Sequence, residues 1–394
     1  MDWLKVEYGE EGKIKVPSNW LFLHYYEALS ILFRVENALR VLVYIVLKNK
    51  SGLDWADTSI SSDDGSKTTI SALAKKRISQ IQDYGYLGYQ SGAPLMHLTS
   101  GELVRILISD SYWKLFKKYF NASKQVVTLK LEEIGTIRNS LAHFRPLTQN
   151  DVEVVKQNAN QVFSVIEETL INIVDTGQRV PTNITDEWYV HLRSLGSQYC
   201  QFIHNQSPDG EWIRLSIQFN CPIMHKYTTD NYASYTVLSL NPVGMLKEYQ
   251  QIMKLVTCII EDVPYIQMPA DFIPSITKYI GFIFLRDKLE AHYGELKTEF
   301  EKLLAEIDTE ADLIKEDKFA QGKVVYISTL TARKKGEAKH QYWVFDYEKL
   351  LRSLDEKDPA EFWGSFSMYT RGLVSDANRF PWMPVPVSNT RFPW

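Results

Sequence analysis

Residues 18–49 constrain this chain more than any other stretch, because they read as one helix of about nine turns. Tyr25, Leu29, Leu32, Glu36, Leu39, Val43 and Val46 step alternately by four and three, which puts them on one helical face. Ser18 stands where an N-cap is expected. A helix this long with an apolar seam cannot be stable alone in water and must be covered by other elements. Glu36 is the exception in the seam. A carboxylate buried there needs a cationic or donor partner; otherwise it lies at the seam's edge and stays hydrated.

The following segments carry the same helical period. After the polar loop 51–66, a second helix is expected over 68–83, then a Gly-rich turn (YGYLGYQSGAP). Thr99-Ser100-Gly101-Glu102 is a capping box opening a third helix, expected to run on through SYWKLFKKYF. A fourth helix is expected over 128–144, with Leu131, Ile134, Ile137 and Leu141 inward and Pro146 ending it. A second capping box, Thr148 to Asp151, opens a fifth helix reaching about Val174. The fold class expected is therefore an all-helical bundle over residues 1–175, followed by an α+β region. The polar stretch 176–187 is the expected linker. Strand-like alternation recurs at 211–219, 235–240, 323–330 and 341–346, with a long charged helix over 285–316 and a short one over 346–354. Residues 188–378 form the expected second domain. The tail 379–394 repeats Arg-Phe-Pro-Trp, and its prolines exclude ordinary helix or central strand. It reads either as a strap on its own domain or as an extended docking segment.

Net charge is −4, so any nucleic-acid site must be a local patch rather than a wholesale electrostatic attraction. Three cysteines are too few for a disulfide framework and fit a reducing cytoplasm. The acidic N-terminus MDWLKVEYGEEGK has no apolar signal core, and no apolar run is long enough to span a bilayer, so no membrane partner is expected. Phosphate-loop, dinucleotide, zinc-protease and nucleophile-elbow motifs are absent.

Chemistry concentrates in Arg138-Asn139-Ser140-Leu141-Ala142-His143. Arginine presents a planar fork of donors to phosphate, and histidine moves protons near neutral pH. Five residues apart on a helix, Arg138 and His143 diverge, whereas Asn139 and His143 share a face. One copy is thus a thin site. Two copies around a two-fold axis would supply two histidines and two arginines to one phosphate. One histidine would take the 2′-OH proton, the other would protonate the leaving 5′-oxygen, and the arginines would offset the charge on the phosphate oxygens.

The segment LEEIGTIRNSLAHFRPLTQNDVEVV resembles the HEPN superfamily, with its Arg-x(4–6)-His motif and Asn after Arg. YEALSILFRVENALRVLVYIVLKNKSGLDW, MHLTSGELVRIL and YWKLFKKYF extend the resemblance to about residues 15–175. It implies a helical bundle and metal-independent endoribonuclease activity in a homodimer, with Arg138 and His143 catalytic, Asn139 supporting and no cofactor. It further implies an anti-phage (abortive infection) or toxin role, with single-stranded RNA or tRNA as substrate and a phage-derived trigger, activator or antitoxin as partner. The other function open to such a domain is a non-catalytic RNA-binding or protein-interaction adaptor. Glu36, from its seam position, is expected to pair with Arg40 or Arg138.

Two further clusters stand out. Lys114, Lys117, Lys118 and Lys124 interleave with Trp113, Phe116, Tyr119 and Phe120, a pattern suited to single-stranded RNA or, equally, to an amphipathic helix. Cys200 with His204, and Cys221 with His225, form two soft pairs that four-coordinate zinc could use, although the spacing is not that of a common finger. Buried free cysteines with incidental histidines explain them as well.

Overall fold

The structure is a computed structural model. It describes residues 7–8, 14–15, 23–61, 67–83, 94–143, 145, 147–174, 176, 180–181, 184–267, 273–336, 340–352, 358–367 and 372–373. Ser18 and the Arg-Phe-Pro-Trp tail lie outside the described residues.

In chain order the N-terminal part comprises β1 (Glu7–Tyr8), β2 (Ile14–Lys15), α1 (Leu23–Ser51), β3 (Ser59–Ser61), β4 (Lys67–Thr69) and α2 (Ile70–Asp83). It continues with α3 (Ser100–Ile108), α4 (Trp113–Phe116), α5 (Lys124–Ala142) and α6 (Gln149–Val174). The remainder begins with α7 (Glu187–Leu192), β5 (Cys200–Gln206), β6 (Trp212–Asn220), β7 (Ile223–Thr228) and β8 (Tyr232–Leu240). Then come α8 (Pro242–Glu248), α9 (Gln250–Leu255), β9 (Cys258–Asp262), β10 (Tyr265–Gln267), β11 (Ser275–Leu285) and α10 (Arg286–Lys315). It closes with β12 (Val325–Lys335), β13 (Tyr342–Asp346), β14 (Phe362–Ser367) and β15 (Gly372–Leu373).

This architecture corrects the expected helical bundle followed by an α+β region. The fold is mixed: antiparallel pairs β1–β2 and β3–β4 sit among the N-terminal helices, and a large sheet-rich region follows. Two- and three-residue strands are too short to leave an alternation in sequence. The first hydrophobic core also crosses the expected boundary. It joins α1, α3, α5 and α6 to Trp212, Cys258, Ile260, Ile283 and Trp363 of the sheet region.

Helix α1 explains why. Every residue from Asn37 to Lys48 is buried, as in a helix surrounded on all sides rather than an amphipathic surface one. Its C-terminal half is bolted to the sheet region. Tyr44 Oη donates to Thr257 O at 2.7 Å, and Thr257 Oγ1 donates to Asn49 Oδ1 at 2.9 Å. Lys48, wholly buried, donates to Met253 O at 2.8 Å and pairs with the Glu361 carboxylate. Leu29, expected in the seam, is 45% exposed, and Ala28 takes the inward position.

Both capping boxes form. Thr99 and Glu102 exchange side-chain-to-backbone bonds at the start of α3, as do Thr148 and Asp151 before α6. Burial alone would raise the Glu102 carboxyl, but hydrogen bonds from Arg77 and Thr99 more than offset this and hold it below its ordinary value. The third helix, however, stops at Ile108 instead of running through to Phe120. A turn at Ser109–Ser111 intervenes, where the Ser109 side chain accepts from the Ser111 backbone and competes with helix continuation.

Among the described residues the sheet region holds two sheets. One has the order β15-β14-β9-β11-β6-β5, with β10 also paired to β11. The other is antiparallel, β13-β12-β8-β7. A second core lies between them and α10, around Phe219, Tyr235, Phe282, Phe300 and Leu330. Lys278 of β11 crosses from one sheet to the other. Wholly buried, it donates to Ser239 Oγ and Leu240 O of β8, both at 2.9 Å, and pairs with Glu261 of β9 at 2.5 Å.

Candidate active site on the fifth helix

Helix α5 begins at the Ser123 N-cap, whose Oγ accepts from Val126 N. Val127, Leu131, Ile134, Ile137 and Leu141 are buried. The opposite face carries Val126, Leu129, Glu132, Thr136 and Asn139 and ends at His143, all exposed. His143 is the residue after the helix, with its N–H donating to Asn139 O at 3.1 Å. Tyr25 of α1 donates to Leu141 O at 3.4 Å, holding that end of α5 against α1.

Arg138 turns to the other side, toward α1 and α3. Its Nε lies 3.9 Å from Glu36 Oε2. Glu36 is also the partner of Arg40 and accepts from Ser100 Oγ. Arg40 in turn donates to Leu95 O at 3.2 Å, Asn37 Oδ1 at 3.1 Å and Leu98 O at 3.4 Å. Thus the anomalous carboxylate of the α1 seam does find donors, and both candidate arginines share it. Arg40 is the buried structural partner, whereas Arg138 is held only loosely and remains about one-third exposed. Among the described residues Arg138 has no other ion pair.

Arg138 forms one end of an open groove of about 150 Å³. Leu32, Val35 and Leu39 of α1, Val104 of α3, and Leu131 and Ile134 of α5 line it, with Gly101 and Gly135 at its walls. A Cβ at either glycine would meet no atom within 4 Å, so these glycines widen the groove rather than relieve a clash.

Arg138 and His143 therefore diverge, as their spacing implies, and no hydrogen bond joins Asn139 to His143 among the described side chains. Ser100 was not singled out by its spacing; only packing of α3 on α1 brings its hydroxyl to Glu36.

The lysine cluster separates into two kinds. Lys118 pairs with Glu211 at 3.3 Å, and Lys124 pairs with Asp110. Lys114 and Lys117 are exposed and have no ion pair among the described residues. The interleaved aromatics belong to the core: Phe116, Tyr119 and Phe120 are buried, and Trp113 stacks on Phe120 with centroids 5.7 Å apart. Lys118 also borders a polar cleft of about 400 Å³ with Gln206, Asp209, Glu211 and Arg286.

Cys200, His204, Cys221 and His225 do not converge. Cys200 and His204 lie on β5 and are buried, Cys221 follows β6, and His225 is exposed on β7 of the other sheet. No group of three metal-ligating side chains is found among the described residues. Burial pushes the Cys200 and Cys221 thiols up to about 12.

His204 is packed among Trp188, Tyr189 and Phe202. Burial pulls it down to about 4, against a weaker opposing hydrogen bond that the imidazole donates to the Leu192 backbone carbonyl. The folded chain then refuses a proton that the unfolded chain accepts, so stability falls as pH drops from about 6.5 toward 4. The full difference is about 3 kcal/mol. His204→Phe should flatten this acid limb in denaturant titrations at stepped pH. An unchanged limb would show that His204 is not its source.

Among the described residues no helix is long and apolar enough to cross a membrane. No protein-family model, curated protein or solved structure matches this chain.

Proposed function

We propose that the chain is a metal-independent endoribonuclease of the HEPN kind, acting as a homodimer in the cytoplasm as a toxin or anti-phage effector. The observation that carries this reading is the exposed stripe of α5 ending at Asn139 and His143, with Arg138 reaching into the adjacent groove. The stripe also presents Leu129 and Val126, 58% and 43% exposed, and the groove is apolar. Exposed apolar side chains and an apolar groove beside ionisable groups suit burial by a second copy. Such a copy would bring in the second histidine and arginine that one chain lacks.

In the assembled site one His143 imidazole removes the 2′-OH proton as O2′ bonds to phosphorus. The other donates a proton to O5′ as the P–O5′ bond breaks. The products are a 2′,3′-cyclic phosphate and a free 5′-hydroxyl. Arg138, oriented by Glu36, neutralises the phosphate oxygens.

Incubation of the purified protein with total RNA in EDTA tests this. Wild type should yield fragments with cyclic-phosphate ends, and His143→Ala should not. Identical fragments from both would remove His143 from the mechanism. The same exposed stripe, with Leu129 and Val126 at its start, also fits a non-catalytic adaptor. On that reading Leu129→Glu abolishes biological activity, whereas Arg138→Ala and His143→Ala preserve it.

A further inference from the structure

The β13-β12-β8-β7 sheet turns one face to the core and the other to solvent. Cross-strand register defines the solvent face, because directly paired residues project to the same side. One row reads Tyr227, Ser234, Thr331, Asp346; the next reads Tyr232, Arg333, Val344; and Lys335 pairs with Tyr342 beyond it. Their neighbours along each strand, such as Ala233, Tyr235, Leu330 and Ala332, are buried in the core. Tyr227 and Tyr342 are 63% and 59% exposed.

This face is unusual in two respects. Exposed tyrosines on a flat surface leave aromatic faces unused. The charges are also mostly basic: Arg333 and Lys335 are exposed with no ion pair among the described residues. Among the described residues of these strands the acid on this face is Asp346, which lies 3.9 Å from Lys349. In a chain of net charge −4, that is a local basic surface. Four strands place the outer strand axes about 14 Å apart, room for two or three splayed nucleotides.

We propose that this sheet face is a binding platform for single-stranded RNA. Bases stack on Tyr227, Tyr232 and Tyr342, while Arg333 and Lys335 contact phosphates. Stacking on aromatic side chains combined with cationic backbone contact is the general chemistry of single-strand recognition, and it tolerates many sequences. The choice of RNA as the strand rests on the ribonuclease reading above; the stacking surface does not. The platform lies apart from the α5 stripe in sequence and in element, and would hold substrate rather than cut it.

The test is fluorescence anisotropy with a labelled oligouridine of about 12 nucleotides, using the full chain carrying His143→Ala so that cleavage does not intrude. Tyr227→Ala combined with Tyr342→Ala should weaken binding at least about tenfold. Arg333→Ala combined with Lys335→Ala should lower the slope of log affinity against log salt by about 1.4, some 0.7 per lost phosphate contact. All four side chains are exposed, and circular dichroism checks that the variants fold. Absence of binding at low salt, or equal affinity and slope in all proteins, overturns the proposal. So does a result in which these variants alter only the sedimentation of the chain, which would assign the face to protein contact. If the variants lose binding while His143→Ala leaves cleavage unchanged, the platform stands and the nuclease assignment fails.

Discussion

Arg138→Ala and His143→Ala should each lower the rate of RNA cleavage by about two to four orders of magnitude, the usual contribution of a positioned acid–base or phosphate-stabilising group. The two variants should differ in kind. His143 is exposed and outside the helix, so its removal should leave stability unchanged. Arg138 reaches Glu36, so Arg138→Ala frees one side of that carboxylate. Arg40 and Ser100 still hold it, and the stability loss should stay within about 1 kcal/mol for so exposed a pair. Arg138→Lys keeps the charge but not the fork, and should recover only part of the rate. Glu36→Gln offers the sharper test of orientation. It removes the charge that steers Arg138 without touching substrate, and should reduce turnover by less than Arg138→Ala does. If Glu36→Gln equals or exceeds the loss in Arg138→Ala, the carboxylate has a direct catalytic role. Single-turnover cleavage of a labelled RNA, together with chemical denaturation of each variant, measures all of these.

Glu261→Ala should destabilise the chain by about 3–5 kcal/mol, the cost of leaving a buried charge without its counter-ion. Lys278 is wholly enclosed between the two sheets. Burial alone would lower its ammonium, but the Glu261 carboxylate more than offsets that and keeps it above its ordinary value. Without Glu261 only three neutral acceptors remain: Ser239 Oγ, Leu240 O and Leu350 O. Lys278→Met paired with Glu261→Leu should recover most of the loss, because apolar residues of similar volume need no counter-ion. Urea denaturation of Glu261→Leu, Lys278→Met and the double variant closes the cycle. If the double variant is as unstable as the sum of the singles, the pair is not coupled and the buried-charge account fails. Lys278, held by Glu261, also ties the four-stranded sheet to its neighbour through Ser239 and Leu240, so Glu261→Ala should loosen the tyrosine face along with the fold.

Much of the local structure was legible before any packing was known. The α5 and α6 helices, α10, and strands β6, β8, β12 and β13 fall within a few residues of where their periodicity places them. Both capping boxes form as their spacing requires. The helices and β12 and β13 have a solvent-exposed face, and exposure writes a period into sequence; β6, buried at seven of its nine positions, keeps its alternation through Arg214, Ser216 and Gln218. Strands β9 and β11 did not declare themselves. All five residues of β9 are buried, as are eight of the eleven of β11, so Cys258–Asp262 and Ser275–Leu285 lack a clear polar alternation. The α1 helix was legible as a helix, but its burial on every side was not. That burial made two separate layers into one mixed fold.

The candidate sites show the same division. Residue spacing alone already separated Arg138 from His143 and joined Asn139 to the face of His143, because helix geometry is local. It also marked Glu36 as a carboxylate needing either donors or water, because burying it unpaired in an apolar seam is costly. The spacing offered Arg40 or Arg138 as donors; tertiary packing decided that both share the carboxylate and added Ser100. Packing likewise sent Phe116, Tyr119 and Phe120 into the core and scattered the Cys/His pairs over two sheets. Strand register aligned Tyr227, Arg333 and Tyr342 on one outward face, although more than one hundred residues separate the first from the others. Backbone preference and side-chain period act over a few residues and are read directly. Which distant side chains meet depends on the single arrangement that buries α1, β9 and β11 together, and no short stretch of sequence contains it.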